Sequence, residues 1–119
     1  MGVRLPAHLT ASGRAILASL PAAQVRALYP HKHAFISRTG AGPRSLSELR
    51  RLLSATRRRG FATEDGEVTT GFASVAAPIS AGTIHASLAV TWESGAPADG
   101  LAEAVSASAE EITRRLRHA

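Results

Sequence analysis

The sequence predicts an α+β domain in which helices cover an antiparallel sheet, and two observations support this fold class. Residues 60–92, GFATEDGEVTTGFASVAAPISAGTIHASLAVTW, hold the longest apolar and β-branched runs of the chain, as strands do. The segments on either side carry apolar residues at helical spacing. The length of 119 residues is that of one domain. We therefore expect residues 1–119 to form a single domain.

The two longest runs are predicted to pair as a hairpin. Pro78 and Gly82 bracket a candidate turn at residues 79–83, so residues 71–79 should pair with residues 83–92. Residues 61–63 form a short strand, and residues 64–67 form an acidic loop that leads into the hairpin. Alternation along the last strand separates a core face of Ile84, Ala86, Leu88, Val90 and Trp92 from a small, polar face of Thr83, His85, Ser87, Ala89 and Thr91. The polar face is typical of one that meets water or lines a cavity.

Four helices are predicted around this hairpin. Thr10 is a candidate N-cap for a helix to about residue 19, and a short helix follows over residues 21–28. Ser45 and Glu48 form a capping box for a third helix that stops at Gly60. The last helix is expected over residues 97–119. Its apolar stripe consists of Leu101, Val105, Ser108, Ile112 and Leu116.

Two other segments are predicted to be extended. Residues 1–9 form a lead-in that contains Pro6 and is a candidate edge strand. Residues 34–37 are a candidate short strand before a loop rich in Gly and Pro.

Composition and charge restrict the function classes. The net charge is +5 and thirteen of the fourteen basic residues are Arg. This positive charge permits attraction to nucleic acid, but it is also typical of an ordinary solvated basic surface. Arg57, Arg58 and Arg59 suit the carboxyl end of the third helix, where cations stabilise the helix dipole.

The absence of Cys excludes disulfides and thiolate metal sites. With no long apolar run and no signal sequence, we expect a cytoplasmic protein that does not enter the membrane.

No enzyme motif is visible, so we expect no catalytic residue. The chain has no nucleophile elbow, P-loop, HExxH or dinucleotide fingerprint. His31 and His33 lack a third ligand at suitable spacing, so we assign neither a metal site nor a cofactor.

Two stretches carry a resemblance to a known family. Residues 5–21, LPAHLTASGRAILASLP, resemble the LPxHxTAxGKALLAxLP signature of the IclR family of bacterial transcriptional regulators. Residues 57–79, RRRGFATEDGEVTTGFASVAAPI, followed by ASLAV, resemble the RxxGYAxDDEExxxGxxCIAAPV and AAISVSGP blocks of the same family. Together with SLSELRRLL between them, these matches follow the family's order over nearly the whole chain.

The resemblance implies a GAF-like effector-binding domain, incomplete on its N-terminal side. In that family the domain follows a winged helix-turn-helix, and ligand binding changes how a dimer or tetramer holds DNA. It therefore implies a sensor of a small carboxylate or aromatic acid that forms a homodimer or homotetramer and reaches DNA only through a domain outside this chain. Two alternatives stay open: a dimerisation module without a functional pocket, and a basic surface that binds nucleic acid directly.

The resemblance also places ligand-contacting positions on seven residues: Ala11, Ser12, Glu64, Phe72, Ser74, Ala89 and Thr91. Their chemistry suits a small organic acid, because hydroxyls donate hydrogen bonds, helix-start amides receive an anion and Phe72 supplies an apolar wall. Glu64 stands where the family pattern has Asp, Ser74 where it has Cys, and Ala89 where it has Ser. Arg14 replaces Lys, and Gly66 replaces an acid.

Overall fold

The computed structural model describes residues 4–119, which contain a three-stranded antiparallel sheet. The strands are β1 (Ala62–Asp65), β2 (Phe72–Ala81) and β3 (Ile84–Glu93), adjacent in that order. The predicted hairpin is confirmed, but its turn is shorter than expected, because Ala81 already pairs with Ile84. Gly82 has a φ of 57° at the first turn position, as a type II′ turn requires.

The predicted α+β class is confirmed, since residues 4–119 also form four α-helices. They are α1 (Ala11–Ala18), α2 (Ala22–Leu28), α3 (Leu46–Arg59) and α4 (Leu101–Arg117). None of the described helices is long and apolar enough to cross a bilayer.

The helix ends follow the local sequence signals. Thr10 Oγ1 accepts a hydrogen bond from the Gly13 amide at 2.8 Å, and Ser45 Oγ accepts one from the Glu48 amide at 3.1 Å. The capping box at α3 is modified, because the Glu48 carboxylate accepts from the Arg44 amide at 2.7 Å rather than from the Ser45 amide. Gly60 ends α3 with a φ of 87°, a conformation that glycine adopts without strain.

Helices cover both faces of the sheet. On one face Val105 and Ala109 of α4 pack against Val75, Ala77 and Ile79 of β2. The small residues of α1 lie against the other face, and α1 is backed in turn by α2 and α3. The contacts between α1 and the sheet are made by Ala11, Ala15, Ala62 and Ala76, which allow a close approach.

Three predicted boundaries were wrong. Residues 34–37 form no strand, because residues 32–34 make a single 3₁₀ turn closed by the hydrogen bond from the Phe35 amide to the Lys32 carbonyl. Residues 4–9 form no edge strand either, since Pro6 starts a turn in which the Leu9 amide donates to its carbonyl; residues 1–3 lie outside the described residues. The supposed acidic loop begins later, because Glu64 pairs with Ser74 inside β1.

The expected core face of β3 is only partly buried. Leu88 and Trp92 pack against the α4 layer, but Ile84 and Val90 remain 47% and 36% exposed. The α4 stripe is confirmed only in its first half: Leu101 and Val105 pack in the core, whereas Ser108, Ile112 and Leu116 are exposed and Ala109 is buried instead. α4 lies mainly over β2, where Val105 and Ala109 make the packed contacts.

Candidate functional site

A cavity of about 560 Å³ lies between the start of α1, the open part of the sheet and the β1–β2 loop. All seven residues singled out from the sequence line it: Ala11, Ser12, Glu64, Phe72, Ser74, Ala89 and Thr91. Four further residues that the sequence did not indicate complete the lining: Leu5, Thr10, Val68 and Thr69. The volume is in the range of small-molecule sites.

The floor of the cavity is formed by β2 and β3. Ser74 lies directly opposite Thr91 in the ladder, and their hydroxyl oxygens are 2.8 Å apart. Ala76 faces Ala89 two pairs further along, on the same face of the sheet. Because Ala89 is small and exposed at the cavity, the sheet leaves room for a ligand where a bulkier residue would close the space.

The amino end of α1 forms one wall. The Thr10 side chain accepts a hydrogen bond from the Gly13 amide. The amides of Ala11 and Ser12 donate to no protein oxygen within residues 4–119. First-turn amides of a helix carry a partial positive charge. This wall therefore offers hydrogen-bond donors to a negatively charged or strongly accepting group.

Glu64 places a carboxylate in the same cavity. The alternation of β1 directs it inward, and the residue is only 6% exposed. Its Oε2 accepts a hydrogen bond from the Glu67 amide at 3.2 Å. The sequence had assigned Glu64 to a loop, where a carboxylate is ordinarily solvated, so its burial is a finding of the structure.

The β1–β2 loop, residues 66–71, closes the cavity through Val68 and Thr69. It is held from outside by two neighbouring side chains: Arg38 Nε donates to the Val68 carbonyl at 2.9 Å, and Thr39 Oγ1 donates to the Gly66 carbonyl at 2.6 Å. These loop residues carry no sequence pattern of their own. Their position directly after β1 and before β2 is the only signal by which they could have been found.

Arg14 ties this loop to the start of α1. The residue is 2% exposed, and its guanidinium donates to the His8 carbonyl at 2.9 Å and to the Thr63 carbonyl at 2.8 Å. It also forms a two-point ion pair with Glu67. Arg14 thus joins the segment before α1, strand β1 and the loop in one network behind the cavity.

These features define an α+β domain with a small-molecule-sized cavity between a helix start and a sheet. The chain belongs to the IclR family, because residues 1–114 match the family model described as bacterial transcriptional regulator IclR C-terminal. The resemblance inferred from the sequence blocks is therefore confirmed.

Relatives agree with this assignment. The glycerol operon regulatory protein of Streptomyces coelicolor is 39% identical over 79 residues, which are 66% of this chain and 30% of that protein. The Agobacterium tumefaciens repressor BlcR is 28% identical with a TM-score of 0.87, over 98% of this chain and 50% of that one. The chain thus spans half or less of these two relatives.

A third structure is similar in fold alone. It is a double mutant of the Acinetobacter PobR inducer-binding domain in complex with 3-hydroxybenzoic acid. It has a TM-score of 0.80 at 22% identity, over 95% of this chain and 68% of that one.

Proposed function

We propose that this domain senses a small organic acid and contributes to the oligomer of an IclR-type regulator, without catalysing a reaction. One observation carries the proposal: seven positions chosen from sequence blocks far apart in the chain lie around one cavity. If these residues had only a structural role, they would not need to surround a cavity. The regulator would work in the cytoplasm as a homodimer or homotetramer and reach DNA through a domain outside these residues.

The cavity suits a small carboxylate with an apolar body. The free amides at Ala11 and Ser12 would receive the carboxylate. Leu5, Val68 and Phe72 supply apolar surface for the rest of the ligand. The ligand class rests on this chemistry, because the likeness to the PobR domain concerns the fold alone.

Direct binding of nucleic acid through the Arg-rich end of α3 is less well supported. Arg57 donates to the Ala18 carbonyl at 3.3 Å, and the Arg59 guanidinium lies 4.9 Å from the centre of the Phe61 ring. Two of the three consecutive Arg side chains therefore have partners within the domain.

Titration calorimetry with glyoxylate, pyruvate and benzoate tests the proposal. We expect at least one of them to bind, and Thr91→Val to weaken that binding about fivefold, because the lost hydroxyl is worth about 1 kcal/mol as a hydrogen-bonding group. Thr83→Val is the matched control, since Thr83 is exposed in the hairpin turn and outside the cavity. No binding to folded protein, or equal weakening by both variants, would contradict the proposal.

A further inference from the structure

A second concave surface of the domain exposes large apolar side chains. Leu28 is 54% exposed and Ile36 is 56% exposed, the highest values among the large apolar residues that the structure describes. Both line a groove of about 450 Å³ beside α2. We call it the α2 groove, and its apolar surface comes chiefly from Leu5, Leu17, Leu28, Tyr29 and Ile36.

The floor of the α2 groove is held in place by aromatic contacts. The rings of Tyr29 and Phe35 stack with centroids 4.9 Å apart, and the His8 ring meets both edge-on. His8 Nε2 lies 2.8 Å from the Ile36 carbonyl oxygen and donates to it, which fixes the backbone that carries Ile36. Tyr29 and Phe35 pack in the core cluster beneath the groove, whereas Leu28 and Ile36 do not. The core therefore gives no reason for these two exposed side chains to be large and apolar.

The rim of the α2 groove is basic. The chain contains no Asp or Glu between residues 4 and 47, and every described lining residue lies within residues 4–36. Arg26 on α2 and Lys32 shortly after this helix are exposed. Neither belongs to an ion pair within residues 4–119. An apolar centre with a charged rim is the arrangement of a protein interface, and here the rim charge has one sign.

From the apolar centre and the basic rim we propose that the α2 groove binds an amphipathic helical segment of a partner protein. Its large aliphatic side chains would cover Leu28 and Ile36, and its Asp and Glu side chains would meet Arg26 and Lys32. A helix laid into an apolar groove is a recurring mode of peptide recognition. The inference goes beyond the proposed function, because Leu28 and Ile36 do not line the effector cavity. Leu5 lines both surfaces, so it is left unchanged in the variants that test the groove.

Two other occupants match the α2 groove less well. Nucleic acid binds chiefly through its phosphates, so it would leave the exposed aliphatic side chains without an apolar partner. The exposed apolar residues of α4 in a second copy, Ile112 and Leu116, lie beside three Arg within residues 114–117. They would bring a like charge to the basic rim, which is unfavourable.

A displayed library of helical peptides about four turns long tests this inference. The positions on one face vary among Leu, Ile, Phe and Ala, and the flanking positions vary among Glu, Gln and Lys. We expect selection on the folded chain to enrich peptides with large apolar residues on one face and Glu beside them. Fluorescence anisotropy of the labelled peptides then measures their affinity, which should fall as salt is added, because the rim attracts them electrostatically.

Substitutions at the centre and at the rim give a second readout. Leu28→Asp and Arg26→Glu should each weaken binding of the selected peptides at least about tenfold, since both place a negative charge beside Glu. Ile112→Asp and Arg50→Glu are the matched controls, exposed on α4 and α3 and outside the groove. We expect them to change the affinity less than about threefold. Ile36→Asp replaces Leu28→Asp if circular dichroism shows that the latter does not fold.

The outcomes separate the possible occupants of the groove. No enrichment, enrichment of Lys-rich peptides, or equal weakening by the control variants overturns the inference. If Leu28→Asp abolishes self-association in light scattering, the groove binds a second copy instead. Tighter binding of duplex DNA than of any selected peptide assigns the groove to nucleic acid. Each of these results leaves effector sensing in the cavity untouched.

Discussion

Arg14 is a buried residue whose side chain bonds to three separate parts of the chain. Its guanidinium donates in several directions from a buried position, to the His8 and Thr63 carbonyls and to Glu67. A planar fork with five N–H groups can reach separate partners at once, whereas a Lys ammonium donates from one atom. Arg at this position, where the family pattern has Lys, therefore supports a wider set of contacts behind the cavity.

Replacing Arg14 with Lys should lower the free energy of unfolding by about 2 kcal/mol, because at least one buried acceptor loses its donor. Urea unfolding followed by circular dichroism measures the change. Arg50→Lys is the control, as Arg50 is exposed on α3. Equal effects of the two substitutions would show that the Arg14 contacts contribute no net stability.

Tyr29 is a second residue whose environment has a measurable consequence. Its ring stacks on Phe35 with centroids 4.9 Å apart, and His8 meets it edge-on. Burial raises the pKa of the Tyr29 phenol above its usual value near 10, although a hydrogen bond with the His8 backbone partly opposes this. The contribution of Tyr29 to stability is therefore fully present below about pH 10 and is lost as the pH rises through the higher pKa of the folded state.

An ultraviolet absorbance titration measures this pKa directly, because Tyr29 is the only tyrosine of the chain. We expect the midpoint in folded protein to lie above the midpoint in concentrated urea. Coincident midpoints would show that the Tyr29 ring is solvated in the folded state.

Among the elements, α1 depends most on close backbone packing. A methyl group at Gly13 would lie 2.5 Å from the Ala7 Cα and within contact of other Ala7 backbone atoms. Residue 13 is therefore glycine because the segment that contains Ala7 crosses the helix too closely for a side chain. This requirement outweighs the low helix propensity of glycine. The same crossing keeps the start of α1 at the cavity.

Gly13→Ala should therefore destabilise the protein by about 1–3 kcal/mol through overpacking, despite the better helix propensity of Ala. The control is Ser54→Ala on the exposed face of α3, which we expect to be neutral or slightly stabilising. The urea midpoints of the two variants measure the difference. A stabilising Gly13→Ala would contradict the close packing described for α1.

Local signals predicted most of the elements, and non-local packing decided the rest. The caps at Thr10 and Ser45 and the alternation of β3 act within a few residues, so the helices and the hairpin were predictable. Residues 34–37 were apolar enough for a strand, but no neighbouring strand pairs with them. The convergence of the α1 start with β1 to β3 was indicated only by the family resemblance, and the burial of Glu64 required the structure.

At the scale of the whole molecule, β3 leaves one side of the described sheet unpaired. Ile84 and Val90 on this strand are substantially exposed, and β3 contains neither Lys nor Pro to discourage association. These are features of an edge that pairs with another strand. They agree with the homo-oligomer in the proposed function.

We expect light scattering to detect a dimer whose population rises with concentration. Val90→Lys should shift it towards monomer, because a charge on the strand edge opposes pairing. Ile112→Lys is the control, since Ile112 has similar exposure on α4. A wild-type monomer at every concentration, or equal loss of dimer in both variants, would exclude β3 as the interface.

The alternation of β3 has one more consequence, for spectroscopy. Thr91 faces the cavity, whereas its neighbour Trp92 packs on the opposite side, in the α4 layer. Trp92 is the only tryptophan of the chain, so intrinsic fluorescence comes from a site that a ligand in the cavity does not touch. A change in Trp92 emission on ligand addition would therefore report that the sheet has moved against α4. If calorimetry detects binding while the emission stays unchanged, the domain binds its ligand without such a movement.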